Sequence, residues 1–176
     1  MPLGPKLRAA PLTDPLKIVL VEPEIPPNTG AIARTAAATA SSLHLVGDLG
    51  FRIDEQSVRR AGLDYWPLVD LHRHESTSEF FESQALDRAF FFTAGAVQSV
   101  YDVAFRPGDM LVFGRESVGL PSELLDAHAG KTVGIPTLGP VRSLNLATAV
   151  SVVVYAALAR IGAFEQTFLA SDAIGG

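Results

Sequence analysis

The sequence predicts an α/β fold, a mostly parallel sheet flanked by helices, on three observations. Short runs of Leu, Ile and Val recur along the chain and are separated by helical segments. The runs are continuous, with no regular alternation of apolar and polar residues, so their strands are expected to be covered on both faces and joined by right-handed crossovers. No repeat or second domain interrupts the pattern, and 176 residues with 48% hydrophobic content suit one domain that buries about 70% of the unfolded chain's surface. The expected organisation is a flexible N-terminal extension over 1–15, a single domain over 16–162 and a tail over 163–176. Pro2, Pro5, Pro11 and Pro15 in the extension leave no room for an apolar leader core.

Leu16–Val21 is the first buried strand. Glu22–Gly30 follows as a loop stiffened by Pro23, Pro26 and Pro27, where Asn28 or Thr29 offers a cap and Gly30 opens an alanine-rich helix to about Ala40. Arg34 lies one turn into that helix. Ser42–Val46 reads as a second strand, Asp54–Ala61 as a helix stopped by Gly62, and Tyr65–Leu71 as a third strand. Ser76 with Glu79 makes a capping box for a helix to about Leu86, and Ala89–Ala94 is an aromatic-rich strand. Pro107-Gly108 turns the chain into a buried strand over Met110–Phe113. The loop Gly114–Leu120 comes next, with Pro121 at a first helical position.

Lys131–Ile135 is the last expected strand. A Gly139-Pro140 turn then leads to a helix for which Ser143 or Asn145 can supply the cap. Between residues 144 and 158 its polar side chains are Asn145, Thr148, Ser151 and Tyr155, so it is expected to be buried nearly all round. One side would pack on its own sheet and the other on a second copy of the chain, with small residues at Ala149, Ala156 and Ala157 permitting close approach. The polar interruptions and Arg160 argue against a membrane span. Ala163–Gly176 is expected to be a short terminal helix and tail.

The net charge of −5 argues against a surface coated in phosphate-binding lysines. Arg52, Arg59, Arg60 and Arg73 could form a local basic patch, but Asp54, Glu55, Asp64 and Asp70 offset them. Cysteine is absent, which removes thiolate nucleophiles, zinc-thiolate sites and disulfides and fits a reducing compartment, with the cytoplasm as the default expectation. His72 and His74 lack a third ligand, so no metal is expected, and His44 between Leu43 and Leu45 reads as a structural histidine.

Ligands of parallel sheets gather at the carboxyl ends of the strands. Three loops leave strands there with glycine and polar residues: 23–30, 114–120 and 137–143. None matches a Walker A loop or Gly-x-Gly-x-x-Gly. Glycines 114, 119 and 139 would either let backbone amides approach an adenine or ribose or simply turn the chain. The helix start near Ser143 and Asn145 adds N–H groups and a positive dipole end suited to a carboxylate, phosphate or purine acceptor. No Ser-His-Asp or paired-carboxylate spacing is present, and Glu22 and Glu24 fit a solvated loop.

Three segments, in order, resemble the motifs of the SPOUT superfamily of knotted RNA methyltransferases. They are Asn28 to Arg34, Phe113 to Pro121, and Ile135-Pro136 followed by Arg142 to Ala147. Glu22 to Gly30, Arg59 to Tyr65 and Val150 to Tyr155 are similar to one branch, the tRNA (cytidine/uridine-34) 2'-O-methyltransferases. The resemblance covers 16–162 and implies a C-terminal trefoil knot, a homodimer, S-adenosyl-L-methionine as cofactor and tRNA as substrate. By position it implies a catalytic Arg34, which in related dimers reaches the other subunit's cofactor pocket. Cofactor contacts are implied at Phe92, Thr93, Gly114, Leu120, Ile135, Ser143 and Leu144, and substrate contacts at Asn28, Glu116, Arg142 and Asn145. Phe92 stands where the family usually has an aliphatic residue, and Thr137 where methionine is frequent.

Overall fold

Leu16–Val21 forms β2, the strand around which the sheet is assembled, and every residue but Lys17 in it is buried. Parallel neighbours flank it, β3 (Ser42–Val46) on one side and β7 (Asp109–Phe113) on the other. With β4 (Leu71–His74), β5 (Ala89–Phe92), β6 (Gln98–Ser99) and β8 (Thr132–Gly134), the order is β4-β3-β2-β7-β5-β8-β6, parallel at every pairing. The computed structural model describes residues 5–51 and 65–170. The expected helix over 54–61 and the arginines at 52, 59 and 60 lie outside the described residues.

Because side chains alternate across a strand, the sheet has two apolar faces, and each carries its own core. One face presents Ile18, Leu20, Leu43, Leu45, Leu111 and Phe113 to helices α1 (Pro26–Thr39) and α4 (Leu146–Ile161). The other presents Val19, Val21, Val46, Phe91 and Val112 to α2 (Thr77–Ser83), α3 (Ser122–Ala127) and their flanks. Each fully buried Leu, Ile or Val stabilises this three-layer arrangement by about 1.5–3 kcal/mol relative to an exposed one. Buried Asp109 at the head of β7 is held by Arg88 Nε and Nη2 at 2.8 and 2.7 Å and by the Arg106 amide.

Several boundaries differ from expectation for local reasons. Helix α1 begins at Pro26, with Ile25 as its N-cap, so Asn28 and Thr29 lie inside its first turn and do not cap it. Proline costs nothing at those first positions, where the amide has no helical acceptor. The third strand starts at Leu71, because Pro67 places Trp66–Leu68 in a 3₁₀ turn. Ser76 does accept from the Glu79 amide, but α2 stops at Ser83, where Gln84 turns extended. Pro121 is the N-cap of α3.

The terminal regions hold the larger correction. Lys6–Ala9 in the expected flexible extension forms strand β1, and Thr167–Ala170, expected as helix and tail, forms strand β9. They pair antiparallel, with Leu7 opposite Leu169 and both about 70% exposed. Helix α4 buries one side on its own sheet, and the burial expected on its other side involves a second copy of the chain. Val150, Val153, Val154, Ala157 and Leu158 are buried, whereas Thr148, Tyr155 and Ala159 form an open strip. No helix among the described residues is long and apolar enough to cross a membrane.

Candidate active site

The carboxyl ends of β5, β7 and β8 stop at Phe92, Phe113 and Gly134, and the three chains leaving them surround one cleft of about 280 Å³. Its floor includes Phe92 and Phe113, stacked with centroids 4.7 Å apart and planes at 12°. Residues 114–119 form one wall, Ile135, Thr137 and 142–144 the facing one, and Leu146 and Ala149 of α4 close the end. Strand ends supply the apolar floor because they are buried, and the loops supply hydroxyls and backbone groups because they are not.

The first wall is a tight turn. Arg115 and Gly119 exchange backbone hydrogen bonds at 3.1 and 2.9 Å, and Gly119 turns with φ +75°. Gly114 faces that turn so closely that a Cβ on it would lie 2.1 Å from the Gly119 carbonyl carbon and 2.2 Å from the Leu120 amide. Its glycine therefore serves the chain's contact with itself. At Gly139, by contrast, a Cβ would meet open space.

Side chains then tie the wall to both helices. Glu116 accepts from the Glu24 and Ile25 amides at 2.8 and 3.2 Å and from Asn28 Nδ2 at 3.0 Å. A carboxylate at the start of α1 meets its unpaired amides and its positive dipole end. Asn28 Oδ1 accepts in turn from Asn145 Nδ2 at 3.0 Å, and Asn145 Oδ1 caps α4 by accepting from Ala147 and Thr148. Farther out, Arg115 pairs with Glu22, and the Ser117 amide donates to Glu24. Hydrogen bonding from Ser117 holds the Glu24 carboxyl below its usual range, and the hydrogen bond to Glu22, followed by its charge, raises Arg115. One connected network thus sets the 114–120 turn, the head of α1 and the head of α4 relative to each other.

Phe92, Thr93, Gly114, Ile135, Ser143 and Leu144 all line the cleft, together with Glu116 and Arg142. Leu120 does not: its side chain is 5% exposed and packs on the opposite face of the sheet with Val19 and Phe91. Of the two caps the sequence allows for α4, Asn145 is the one used. Asn28, Glu116 and Asn145, expected at the substrate, engage one another, so their polar atoms serve the network. Arg34 is exposed and is not among the residues lining the cleft, its guanidinium carbon lying 4.6 Å from the Tyr65 ring centroid. Missed by sequence reasoning were Phe113 as floor and Ala149 as end wall. The signal for both was position: the last residue of a buried strand, and one turn into the helix.

The cleft combines a largely apolar floor with the hydroxyl-bearing residues Thr93 and Ser143 on its lining. Among the described residues, no group of three or more His, Cys, Asp and Glu is arranged to hold a metal ion. His44, His72 and His74 instead stack beside one another at the β3–β4 edge, with His44 Nδ1 and His74 Nε2 3.0 Å apart.

Comparison with known proteins gives concordant findings. The model of the SpoU rRNA Methylase family matches residues 15–155. A tRNA (cytidine(34)-2'-O)-methyltransferase from an Acidovorax species is 48% identical over 143 residues, which are 80% of this chain and 88% of that protein. A solved structure concerned with 2-OH methylation of cytidine or uridine 34 on tRNA is 49% identical with TM-score 0.78, covering 84% of this chain and 96% of that one. An rRNA methyltransferase from Sinorhizobium meliloti, solved with AdoMet bound, is 28% identical with TM-score 0.72, over 83% of this chain and 56% of that one.

Proposed function

This chain belongs to the SpoU rRNA methylase family, and we propose that it methylates the ribose 2'-hydroxyl of the cytidine or uridine at position 34 of tRNA, with S-adenosylmethionine as donor. One observation carries the reading. The segments Asn28 to Arg34, Phe113 to Pro121 and Ile135 to Ala147 are joined by the Glu116–Asn28–Asn145 network around a cleft, in a chain close to relatives of that activity over nearly their whole length.

The residues present fit the cofactor. Phe92, Ile135 and Leu144 offer apolar contact to an adenine, Thr93 and Ser143 can bond hydroxyls, and Gly114 keeps the adjoining backbone close. When bound, S-adenosylmethionine supplies a sulfonium methyl group that is already electrophilic. The chain then has to align the 2'-oxygen in line with that methyl and see its proton leave. Arg34 is the candidate for this. A guanidinium stays protonated at working pH, so it acts as donor and not as base, gripping an RNA phosphate or the 2'-oxygen while a phosphate oxygen shares the proton.

Arg34 lies outside its own cleft, and α4 beside it keeps an open strip at Thr148, Tyr155 and Ala159. Thr35 and Ser151 join α1 to α4 there at 2.9 Å. We read this face as the contact of a homodimer in which each Arg34 serves the partner's cleft. Residues 135–145, leading from β8 into α4, are read as the path of a C-terminal trefoil knot. Exposed Arg142 on the cleft wall remains available to RNA.

Incubation with labelled S-adenosylmethionine and total tRNA, followed by nucleoside mapping, tests the reading. Label in 2'-O-methylated nucleotide 34 is expected, and label elsewhere or none overturns it. Arg34→Ala should abolish most single-turnover transfer while S-adenosylhomocysteine binding survives.

A further inference from the structure

An exposed arginine has many rotamers, and a reaction that depends on one needs something to choose among them. At Arg34 the chosen partner is an aromatic ring. Its guanidinium carbon sits 4.6 Å from the centroid of Tyr65, within the range of an effective cation–π contact. Tyr65 is itself held in two ways. Its hydroxyl donates to the Gly30 carbonyl at 2.7 Å, and its ring packs against the main core beside Trp66. Gly30 and Arg34 are one turn apart on α1 and so share a face of the helix. The ring therefore spans the turn from which Arg34 projects, anchored at residue 30 and in contact at residue 34.

The kind of partner matters as much as its place. A carboxylate would occupy the guanidinium fork and offset its charge, whereas a π face needs none of its N–H groups as hydrogen-bond donors. None of the ion pairs formed among the described residues involves Arg34. Its donors stay available for a phosphate or a ribose oxygen.

We propose that Tyr65 is a positioning residue for methyl transfer, holding the Arg34 guanidinium in the attitude from which it meets the RNA without neutralising it. The inference rests on the substrate-side role of Arg34 given above. Tyr65 touches neither reactant and acts only through that arginine.

A double-mutant cycle tests it, with single-turnover rates measured at saturating tRNA and S-adenosylmethionine. Tyr65→Leu should lower the transfer rate by about fivefold or more, with KM for tRNA and S-adenosylhomocysteine affinity unchanged. Tyr65→Phe, which keeps the ring, should restore most of the rate. In an Arg34→Ala background, Tyr65→Leu should cost nothing further. An unchanged or increased rate in Tyr65→Leu, or an equal loss in both backgrounds, overturns the proposal, the latter because it marks a purely structural residue. Near-normal transfer by Arg34→Ala alone overturns the reading of Arg34 itself, which the cycle reports separately. Melting is followed for every variant, and if Tyr65→Leu does not fold, Tyr65→Met takes its place in the same cycle with the same criteria.

Discussion

Gly114 faces the backbone of Gly119 and Leu120, which would lie a little over 2 Å from any Cβ placed on it, so no side chain fits there unless the turn moves. Gly114→Ala must therefore push the 114–120 turn away from the floor, and S-adenosylhomocysteine affinity should fall by at least about tenfold, a cost of roughly 1.4 kcal/mol. Calorimetry giving wild-type affinity would contradict this. His44 makes a second prediction. Burial, then the charges of His72, His74 and Lys17, push it down from 6.5 to about 4, with Asp70 opposing. Between those values the unfolded chain binds the proton and the folded one does not, so stability is complete above about 6.5, falls as pH drops toward about 4 and levels below. Melting curves across that window should be steeper for the wild type than for His44→Gln. Parallel slopes would exclude His44 as the source.

At the scale of the element, α4 begins where it does because Asn145 accepts from two of its first amides, and it is placed because the same side chain donates to Asn28. The two tasks can be separated. Asn145→Ala loses both and should cost about 1 kcal/mol of stability from the cap alone, seen as a lower Tm. Asn145→Asp keeps the cap but sets a carboxylate against Asn28 Oδ1, so the Tm should recover more than S-adenosylhomocysteine affinity does. Equal recovery of both would mean that the Asn28 bridge does not organise the cleft. Helix α1 shows the complementary case. Its N-cap has no polar side chain, and Glu116, 88 residues away from Asn28, supplies the acceptor.

For the whole molecule, the open strip on α4 at Thr148, Tyr155 and Ala159 carries the proposed dimer. Folding coupled to association makes apparent stability depend on protomer concentration, so dilution should lower the Tm. A monodisperse monomer by light scattering at micromolar concentration, with a Tm independent of dilution, would remove the dimer. Tyr155→Arg should likewise weaken association without lowering S-adenosylhomocysteine affinity in each subunit.

Features that depend on neighbours along the chain were legible before any packing was known. The apolar runs Leu16–Val21 and Met110–Phe113 pointed to strands covered on both faces, Ser76 to a cap before its helix, and Asn145 to one of two possible caps for α4. The three motif segments were legible as well, and six of the seven expected cofactor contacts line the cleft. Leu120 is not on the cleft lining, because its side chain is buried with Val19 and Phe91 on the other face of the sheet. Lys6–Ala9 and Thr167–Ala170 failed because each is too short to declare itself and becomes a strand only through the other. Packing is what lets Glu116, Asn28 and Asn145 satisfy one another across separations of 88 and 117 residues. Hydrogen bonds act over about 3 Å, so groups far apart in sequence become partners only after the sheet has packed the two helices beside the turn.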